Sequence, residues 1–422
     1  MPEIVSASID RQSKAMFLLY FVTHPVWPLT SGNRLRDYHL ARQLAARASV
    51  TLVELLNSGE QPSSPPSDCL FDRVISLNRG PAYTPGKVLR GIIGPTPLTI
   101  LNYSEPRLAQ QLANILARDR FDAVQIQGVH LSEYLPLIRA APNRPAILVD
   151  WHNIESELMR RYSKNGPNWP KRMAAKRTAT LLEKVELRVL EACQAHTVAS
   201  EREAEKLLAR CPAAKVRVVP NGVDAGYFCQ PELSKTCQRR SSSGFKQSLP
   251  FIGSMDYYPN IDAVKWFARH IWPRVAQKYP KLEFIIVGRN PSNEVLALQS
   301  DRVRVTGTVA DVRPFYASAL AVVVPLRIGS GTRLKILEAM AAEVPVVSTR
   351  LGCEGLDVRH GVHLLLADDP SEIAEAIDRL ICSVETRSRL TQSARALVTN
   401  HYDWAVIGAK LRVIYNELVQ VS

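Results

Sequence analysis

Cysteine is scarce and scattered in this 422-residue sequence: Cys69, Cys193, Cys211, Cys229, Cys237, Cys353 and Cys382, with no Cys-x-x-Cys pair. That pattern indicates neither a disulfide framework nor a zinc site, and the cytosol suits it best. Long apolar runs are missing too. Hydrophobic residues make up 46% of the chain, yet no stretch approaches the roughly 20 needed to span a bilayer. The early run Ala15–Val22 follows Lys14 as a signal segment would. It is short, has no small-residue cleavage site and leads straight into His24-Pro25, so it reads as a first buried strand. Acid is in deficit: 53 Lys and Arg face 40 Asp and Glu, a formal charge of +13. No recognised nucleic-acid module accompanies that charge, and no nucleic-acid partner is expected. Part of the excess lies in Arg160, Arg161, Lys164, Lys171, Arg172, Lys176, Arg177, Lys184 and Arg188. Two readings of this region stay open, a solvated helix face and a docking surface for anionic lipid headgroups.

No repeat with a period of 20–50 residues is present, which excludes a solenoid. Short β-branched runs instead alternate with helical-period segments, the pattern of parallel sheets built from βαβ units. The first series of strands is expected at Met16–Val22, Ser49–Leu55, Arg73–Leu77, Ala123–Ile126, Ala146–Val149, His196–Ala199 and Val216–Val219. Helices fall at Arg34–Ala46, Pro106–Arg118 and Lys171–Cys193. The pattern stops at the turn Pro220-Asn221-Gly222, and the polar stretch Gln230–Ser248 reads as a linker or loop. It restarts at Pro250–Gly253, with strands at Phe284–Val287, Val303–Thr306, Ala321–Pro325, Val344–Ser348 and His363–Leu366. Helices are expected at Asp262–Tyr279, which Pro273 should kink or end, and at Val312–Ser318, Arg333–Ala342, Pro370–Ile381 and Glu385–Thr399. The chain is therefore α/β, with two Rossmann-like doubly wound domains of similar size, residues 1–222 and 250–400, joined by a variable segment, 223–249. Their ligand cleft is expected where the carboxyl ends of the two sheets face each other.

The most informative stretch is Ala321-Val-Val-Val-Pro-Leu-Arg-Ile-Gly-Ser-Gly-Thr-Arg-Leu-Lys-Ile-Leu-Glu-Ala-Met340. A strand ends at Pro325, a loop turns at Gly329–Gly331, and a helix begins near Thr332, a plausible N-cap. Open amides at a helix start make an anion site. Arg333 and Lys335 sit in the first turn, where cations are unfavourable unless an anion arrives. Glu338 lies two turns beyond Gly331 on the same face and leans back toward the helix start. A ribose attached to a bound pyrophosphate would come within its reach. The plain alternative is an amphipathic helix whose Glu338 faces solvent or pairs with Lys335.

The segment Gly-Thr-Arg-Leu-Lys-Ile-Leu-Glu338-Ala-Met-Ala, followed by Val344-Pro-Val-Val-Ser-Thr, resembles the nucleotide-sugar motif of family 4 glycosyltransferases, which have the GT-B fold. The resemblance covers nearly the whole chain. It includes Val218-Val-Pro-Asn-Gly-Val-Asp224, Phe251-Ile-Gly-Ser-Met-Asp256, Ile286-Val-Gly-Arg-Asn-Pro291 and Val305-Thr-Gly-Thr-Val-Ala-Asp311. The closing Tyr402-Asp-Trp404 and its helix, 401–422, resemble the family helix that crosses back onto the first domain. The resemblance implies a retaining transfer from a UDP- or GDP-linked sugar to a hydroxyl acceptor, which may be a glycan, glycolipid or small molecule. It implies that Glu338 holds the ribose, that Gly331 and Thr332 meet the pyrophosphate, that Val309 contacts the base with Arg289 nearby, and that Gly32 in Ser31-Gly32-Asn33 faces the diphosphate and acceptor. Three positions depart from the family pattern. Ser330 stands where a glutamate is usual, Ser254 and Asn260 stand where an arginine and a lysine are frequent, and Gln125-Ile-Gln127 replaces a His-x-His pair. Arg327, Arg333 and Lys335 are the substitute cations.

In the first domain, Asp150-Trp-His-Asn153 ends the strand Ala146–Val149, placing His152 to bind the donor sugar or shuttle a proton. A structural histidine is the competing reading. His130 and Gln127 are further candidates, while His24 and His39 read as scaffold. No Asp-x-Asp motif stands at a strand end, since Asp368-Asp369 precedes Pro370 as a helix start, so neither a metal nor another cofactor is expected. No carboxylate pair suggests a glycosidase. A catalytically silent nucleotide-sugar-binding or scaffold protein of the same fold is the alternative to a transferase. By family analogy the acceptor is a lipid-linked or cell-envelope glycan and the enzyme is cytoplasmic, peripheral on the inner face of the membrane.

Overall fold

The computed structural model describes residues 4–6, 16–62, 65–66, 69–165, 168–229, 247–329 and 333–420. The chain divides into two compact units, Met1–Pro220 with Ile407–Ser422, and Asn221–Val406.

The N-terminal unit is built on one eight-stranded sheet: β1 (Ile4–Ser6), β2 (Phe17–Val22), β3 (Ser49–Leu56), β4 (Arg73–Asn78), β5 (Ala123–Gln127), β6 (Ala146–Trp151), β7 (Ala195–Val198) and β8 (Val216–Val218). Their order is β1-β4-β3-β2-β5-β6-β7-β8. Only β1 runs antiparallel, against β4. The run Phe17–Val22 is a buried central strand, as an apolar stretch with β-branched neighbours requires in a sheet covered on both faces. Leu18 pairs with Val50 on one side and with Ala123 on the other. Successive strands β2, β3 and β4 step one way; β5 returns to the free side of β2 and the chain then steps the other way. The carboxyl ends of β2 and β5 thus flank a topological switch point, where doubly wound sheets take their ligands. The helix Trp404–Gln420 supplies this unit with its last part: Tyr415 donates to Gln125 Oε1 at 2.5 Å, and Arg412 to the Gln43 carbonyl at 3.3 Å.

The C-terminal unit repeats the plan with β9 (Ser248–Ile252), β10 (Glu283–Val287), β11 (Val303–Val305), β12 (Val322–Val324), β13 (Val346–Ser348) and β14 (Leu365–Leu366). Two three-stranded parallel arrays, β11-β10-β9 and β12-β13-β14, adjoin where Leu320 N–H donates to the Ser248 carbonyl at 2.8 Å. The switch point here lies between β9 and β12. Val223, Ala225 and Phe228 belong to this unit's core, so the segment read as linker is already packed at its start. The helix expected over Asp262–Tyr279 is two helices, Tyr258–His270 and Trp272–Lys278. Pro273, which lacks an N–H to continue the ladder, sits in the first turn of the second. Phe284 takes Phe267 and Trp272 at ring distances of 4.6 and 6.0 Å, locking both helices onto β10.

Candidate functional site

In the N-terminal unit, Ser31 caps the helix Gly32–Ala45 by accepting from Arg34 N–H at 3.4 Å, and Gly32 is its first helical residue. This helix follows β2, so its first turns lie over the switch point. Residues 36–41 are all buried, including Arg36 and Asp37. Arg36 grips Asp150 with two parallel bonds, Nε to Oδ2 at 2.8 Å and Nη2 to Oδ1 at 2.6 Å, and donates from Nη1 to the Val219 carbonyl at 2.9 Å. Thr197 adds a hydroxyl bond to Asp150 Oδ1 at 2.6 Å. Bidentate, charge-assisted bonds of this kind are among the strongest available to a side chain. Burial would raise the Asp150 carboxyl, but Arg36 and His152 hold it well below the ordinary carboxylate range.

His152 follows β6 and lies between two acids, its Nε2 3.1 Å from Asp37 Oδ1 and 3.5 Å from Asp150 Oδ2. Burial alone would lower its pKa; the charge of Asp37 and bonds to Asp150 and Asp37 outweigh that and raise it to about 9. The ring is therefore protonated at neutral pH. It offers N–H donors and positive charge rather than a base, which narrows the proton-shuttle role to donation. Gln127, at the end of β5, donates to Asp37 Oδ2 and accepts from Thr23 N–H at 3.0 Å and Thr23 Oγ1 at 2.7 Å. His24, read from sequence as scaffold, belongs to the same cluster, with Nε2 3.2 Å from Asp37 Oδ2. His39 is buried against Tyr38 and stays scaffold. His130 opens a short 3₁₀ turn, packs on Tyr103 at 5.2 Å, and is held near pKa 4 by burial, His152 and Arg79. A ring kept neutral makes a weaker candidate for handling developing charge.

Asp37, Asp150 and His152 place ligand atoms within 4.8 Å of one another. The donor set nonetheless fits a divalent ion poorly, because Arg36 and Thr197 occupy Asp150, while His24, His152 and Gln127 occupy Asp37. Guanidinium and imidazolium already supply the counter-charge.

In the C-terminal unit the loops after β9 and β10 lie so close that a Cβ at Gly288 would sit 1.8 Å from the Gly253 carbonyl oxygen. Only glycine permits that approach. Arg289 Nε donates to Ser254 Oγ at 2.8 Å, and Ser254 donates onward to Asp256 at 2.6 Å. Asn260 donates to the Ser254 carbonyl at 2.8 Å and accepts from Lys335 Nζ at 2.9 Å. Lys335 also lies over the Phe251 ring, 3.9 Å from its centroid. Burial, then the neighbouring Arg333 charge, lower its pKa to about 7 against a partial lift from Glu338. Glu338 Oε2 accepts from Tyr316 Oη at 2.7 Å, and burial raises its pKa against the pull of that bond and of Lys335. Arg333 is buried and donates from Nη2 to the Leu351 carbonyl at 3.3 Å. Val309 is half-buried against the core.

Ser330, Gly331 and Thr332 lie outside the described residues. The helix after them is Leu334–Ala341, with Arg333 rather than Thr332 at the cap position. Arg333 takes φ −90° and ψ 66°, outside the helix, as its guanidinium turns toward Leu351. Arg327 is not a spare cation: it is bound to Asp262 through Nη2 at 2.6 Å and Nε at 3.1 Å, and stacks over Trp266. The structure thus gathers Gln127 and His152 in one unit, and Ser254, Arg289, Arg333, Lys335 and Glu338 around the β9/β12 switch point of the other. Sequence reading missed Arg36, Asp37, Thr23 and Thr197, and Tyr316 beside Glu338. The usable signal was positional, since a helix that follows the first strand of a doubly wound sheet starts at its switch point.

Two successive doubly wound units, each with polar residues at its own switch point, define the GT-B class of fold. Solved structures agree. Sucrose-phosphate synthase from Thermosynechococcus elongatus superimposes with TM-score 0.69 at 18% identity, covering 96% of this chain and 100% of that one. Anabaena HepE, in complex with UDP-glucose, does so with TM-score 0.63 at 16% identity, covering 95% and 100%. The Glycosyltransferase Family 4 model matches residues 38–227, and the Glycosyl transferases group 1 model matches residues 246–383. The chain belongs to the family 4 glycosyltransferases. Among curated relatives, the phosphatidyl-myo-inositol mannosyltransferase of Mycolicibacterium smegmatis is 27% identical over 217 residues, 48% of this chain and 54% of that protein. The chain spans about half the length of the curated relatives it matches.

Proposed function

We propose that the protein is a retaining, metal-independent glycosyltransferase that moves a sugar from a UDP- or GDP-linked donor to a hydroxyl acceptor. The observation that carries this reading is the cation-rich start of the helix Leu334–Ala341. Arg333 and Lys335 crowd a half-buried place where the Lys335 ammonium is lowered to about pKa 7, so the free protein lacks the negative charge this place would favour. A diphosphate supplies it, and stabilising the departing diphosphate is the largest catalytic contribution expected from such a site. Glu338, one turn on from Lys335, would accept the ribose hydroxyls in place of the Tyr316 bond. Ser254 and Arg289 would face the nucleotide, with Val309 toward the base, and Ser330, Gly331 and Thr332 would close the loop around the phosphates. His152, protonated and oriented by Asp37 and Asp150, would donate to the reacting sugar, with Gln127 and Gly32 beside it; His130 is the reserve candidate. The charge needed is carried by protein side chains, which is why no metal is invoked.

A lipid-linked or cell-envelope glycan is the acceptor class we favour, with the Arg160–Arg188 region docking the enzyme on an anionic membrane surface. Two of the Mycolicibacterium and human relatives carry phosphatidylinositol in their names, which supports that choice. Among the described residues no helix is long and apolar enough to cross a membrane.

The test is a screen of UDP, GDP and their sugars by thermal shift, followed by release of nucleoside diphosphate. A matching ligand at 100 times its Kd should stabilise the protein by about 2.7 kcal/mol. No response to either diphosphate, and no donor turnover, would contradict the proposal. Tight binding with no turnover across lipid and glycan acceptors would favour a silent binding protein.

A further inference from the structure

One helix of the N-terminal unit buries none of its residues. Pro85–Ile93 reads Pro-Gly-Lys-Val-Leu-Arg-Gly-Ile-Ile and has no side chain in the core. Leu89, Ile92 and Ile93, spaced i, i+3 and i+4, form a single apolar face. They are exposed by 58%, 61% and 73%. A nine-residue helix does not persist in water unaided, and this one is fastened at both ends. Thr84 caps it by accepting from Lys87 N–H, and Pro85 stands in its first turn. Arg177 binds its far end, donating to the Gly91 and Gly94 carbonyls at 2.7 Å each. Met173 and Trp169, one and two turns before Arg177 on the helix Trp169–Ala192, are exposed as well. Scattered exposed apolar residues need no explanation, but a contiguous set held in place marks an interaction surface.

The charge around it selects the partner. Residues 80–104 and 158–182 hold nine Lys and Arg and no Asp or Glu. Several of these are engaged internally: Arg160 pairs with Glu183, Lys87 with Glu105, and Arg172 donates to the Ser163 carbonyl. Arg90, Lys171 and Lys176 are exposed beside the apolar face. A second copy of this chain seated here would bring like charge against like. An anionic bilayer offers both apolar depth and negative headgroups, the combination that a basic amphipathic surface helix recognises.

We infer that Pro85–Ile93, with Trp169 and Met173, is a membrane-insertion element that seats its apolar face among the acyl chains of an anionic bilayer. This rests on the proposed docking of the Arg160–Arg188 region and adds that docking is by insertion as well as by charge. The whole protein is incubated with phosphatidylcholine vesicles, with and without phosphatidylglycerol, and bound protein is measured by sedimentation. Binding is expected only with the anionic lipid. The pair Ile92→Ser and Ile93→Ser should lower partitioning by about tenfold or more, by loss of apolar burial, with thermal stability unchanged because both side chains are exposed. Brominated lipid should quench tryptophan emission in the parent and much less in Trp169→Phe. If the serine pair binds like the parent while Lys171→Ala with Lys176→Ala does not, insertion is refuted and the charge reading stands. If no vesicle binds the parent, both are refuted. A concentration-dependent dimer that the serine pair abolishes without lipid would give the face to a second copy and overturn the inference.

Discussion

The two units share a topology and put polar residues at the same switch point, yet the two clusters are in opposite electrostatic states. In the N-terminal unit every charge has its counterpart: Arg36 on Asp150, His152 and His24 on Asp37, Gln127 and Thr23 closing the remaining bonds. In the C-terminal unit two cations crowd one helix start, and the neighbouring carboxylate and ammonium both have pKa values moved toward their neutral forms. A satisfied buried network orients its members and resists change, while a cluster short of one sign of charge is prepared for a ligand that brings it. The same fold thus supports a rigid positioning site in one unit and a receptive anion site in the other.

Substitution should separate the two most sharply. Asp150→Ala leaves the buried Arg36 guanidinium without its carboxylate, and removing one partner of a buried ion pair costs about 3–5 kcal/mol. Glu338→Gln keeps an acceptor for Tyr316 and should change stability by less than about 1 kcal/mol. Denaturant unfolding of both variants checks this, and equal losses would erase the contrast. Next comes pH. His152 has its pKa raised from 6.5 to about 9, so its contribution to stability is complete below about 6.5 and lost as pH rises through about 9. Asp37 and Asp150 are depressed, so theirs is present above the ordinary carboxylate range and lost only in acid. The melting temperature should therefore fall on the alkaline side, and His152→Gln should flatten that fall. The smallest effect belongs to the other unit. A bound diphosphate would raise the Lys335 pKa above its value of about 7, so affinity should weaken above pH 7 by up to about tenfold per unit. Calorimetry across that range, repeated with Lys335→Met, should show the slope in the parent alone.

Much of this was legible in the sequence, for reasons the structure makes plain. Continuous apolar runs such as Leu18–Val22 and Val322–Val324 can only be strands buried on both faces. Glu338 and Lys335 stood out because their spacing from a glycine loop is local along one helix. Asp37 and Arg36 did not. Their helix is buried nearly all round over residues 36–41, so it has no polar stripe to mark which charges turn inward, and the partner of Arg36 lies 114 residues away. The helix Pro85–Ile93 was missed because nothing in it packs on a core. Its apolar face is visible in the spacing, but not the fact that Arg177 holds it to the surface.

The central claim is that one unit binds the nucleotide while the other acts on the sugar, and a single paired measurement tests it. Nucleoside diphosphate affinity and the rate of sugar transfer are determined side by side for Glu338→Gln and His152→Gln. Loss of a charged hydrogen-bond acceptor costs about 1.5–3 kcal/mol, so Glu338→Gln should weaken nucleotide binding by about tenfold or more. His152→Gln should leave that affinity within about twofold and lower turnover by about 10²–10⁴-fold, the range for a group that acts in the transition state. The account is contradicted if His152→Gln turns over like the parent, or if Glu338→Gln binds the diphosphate as tightly as the parent does.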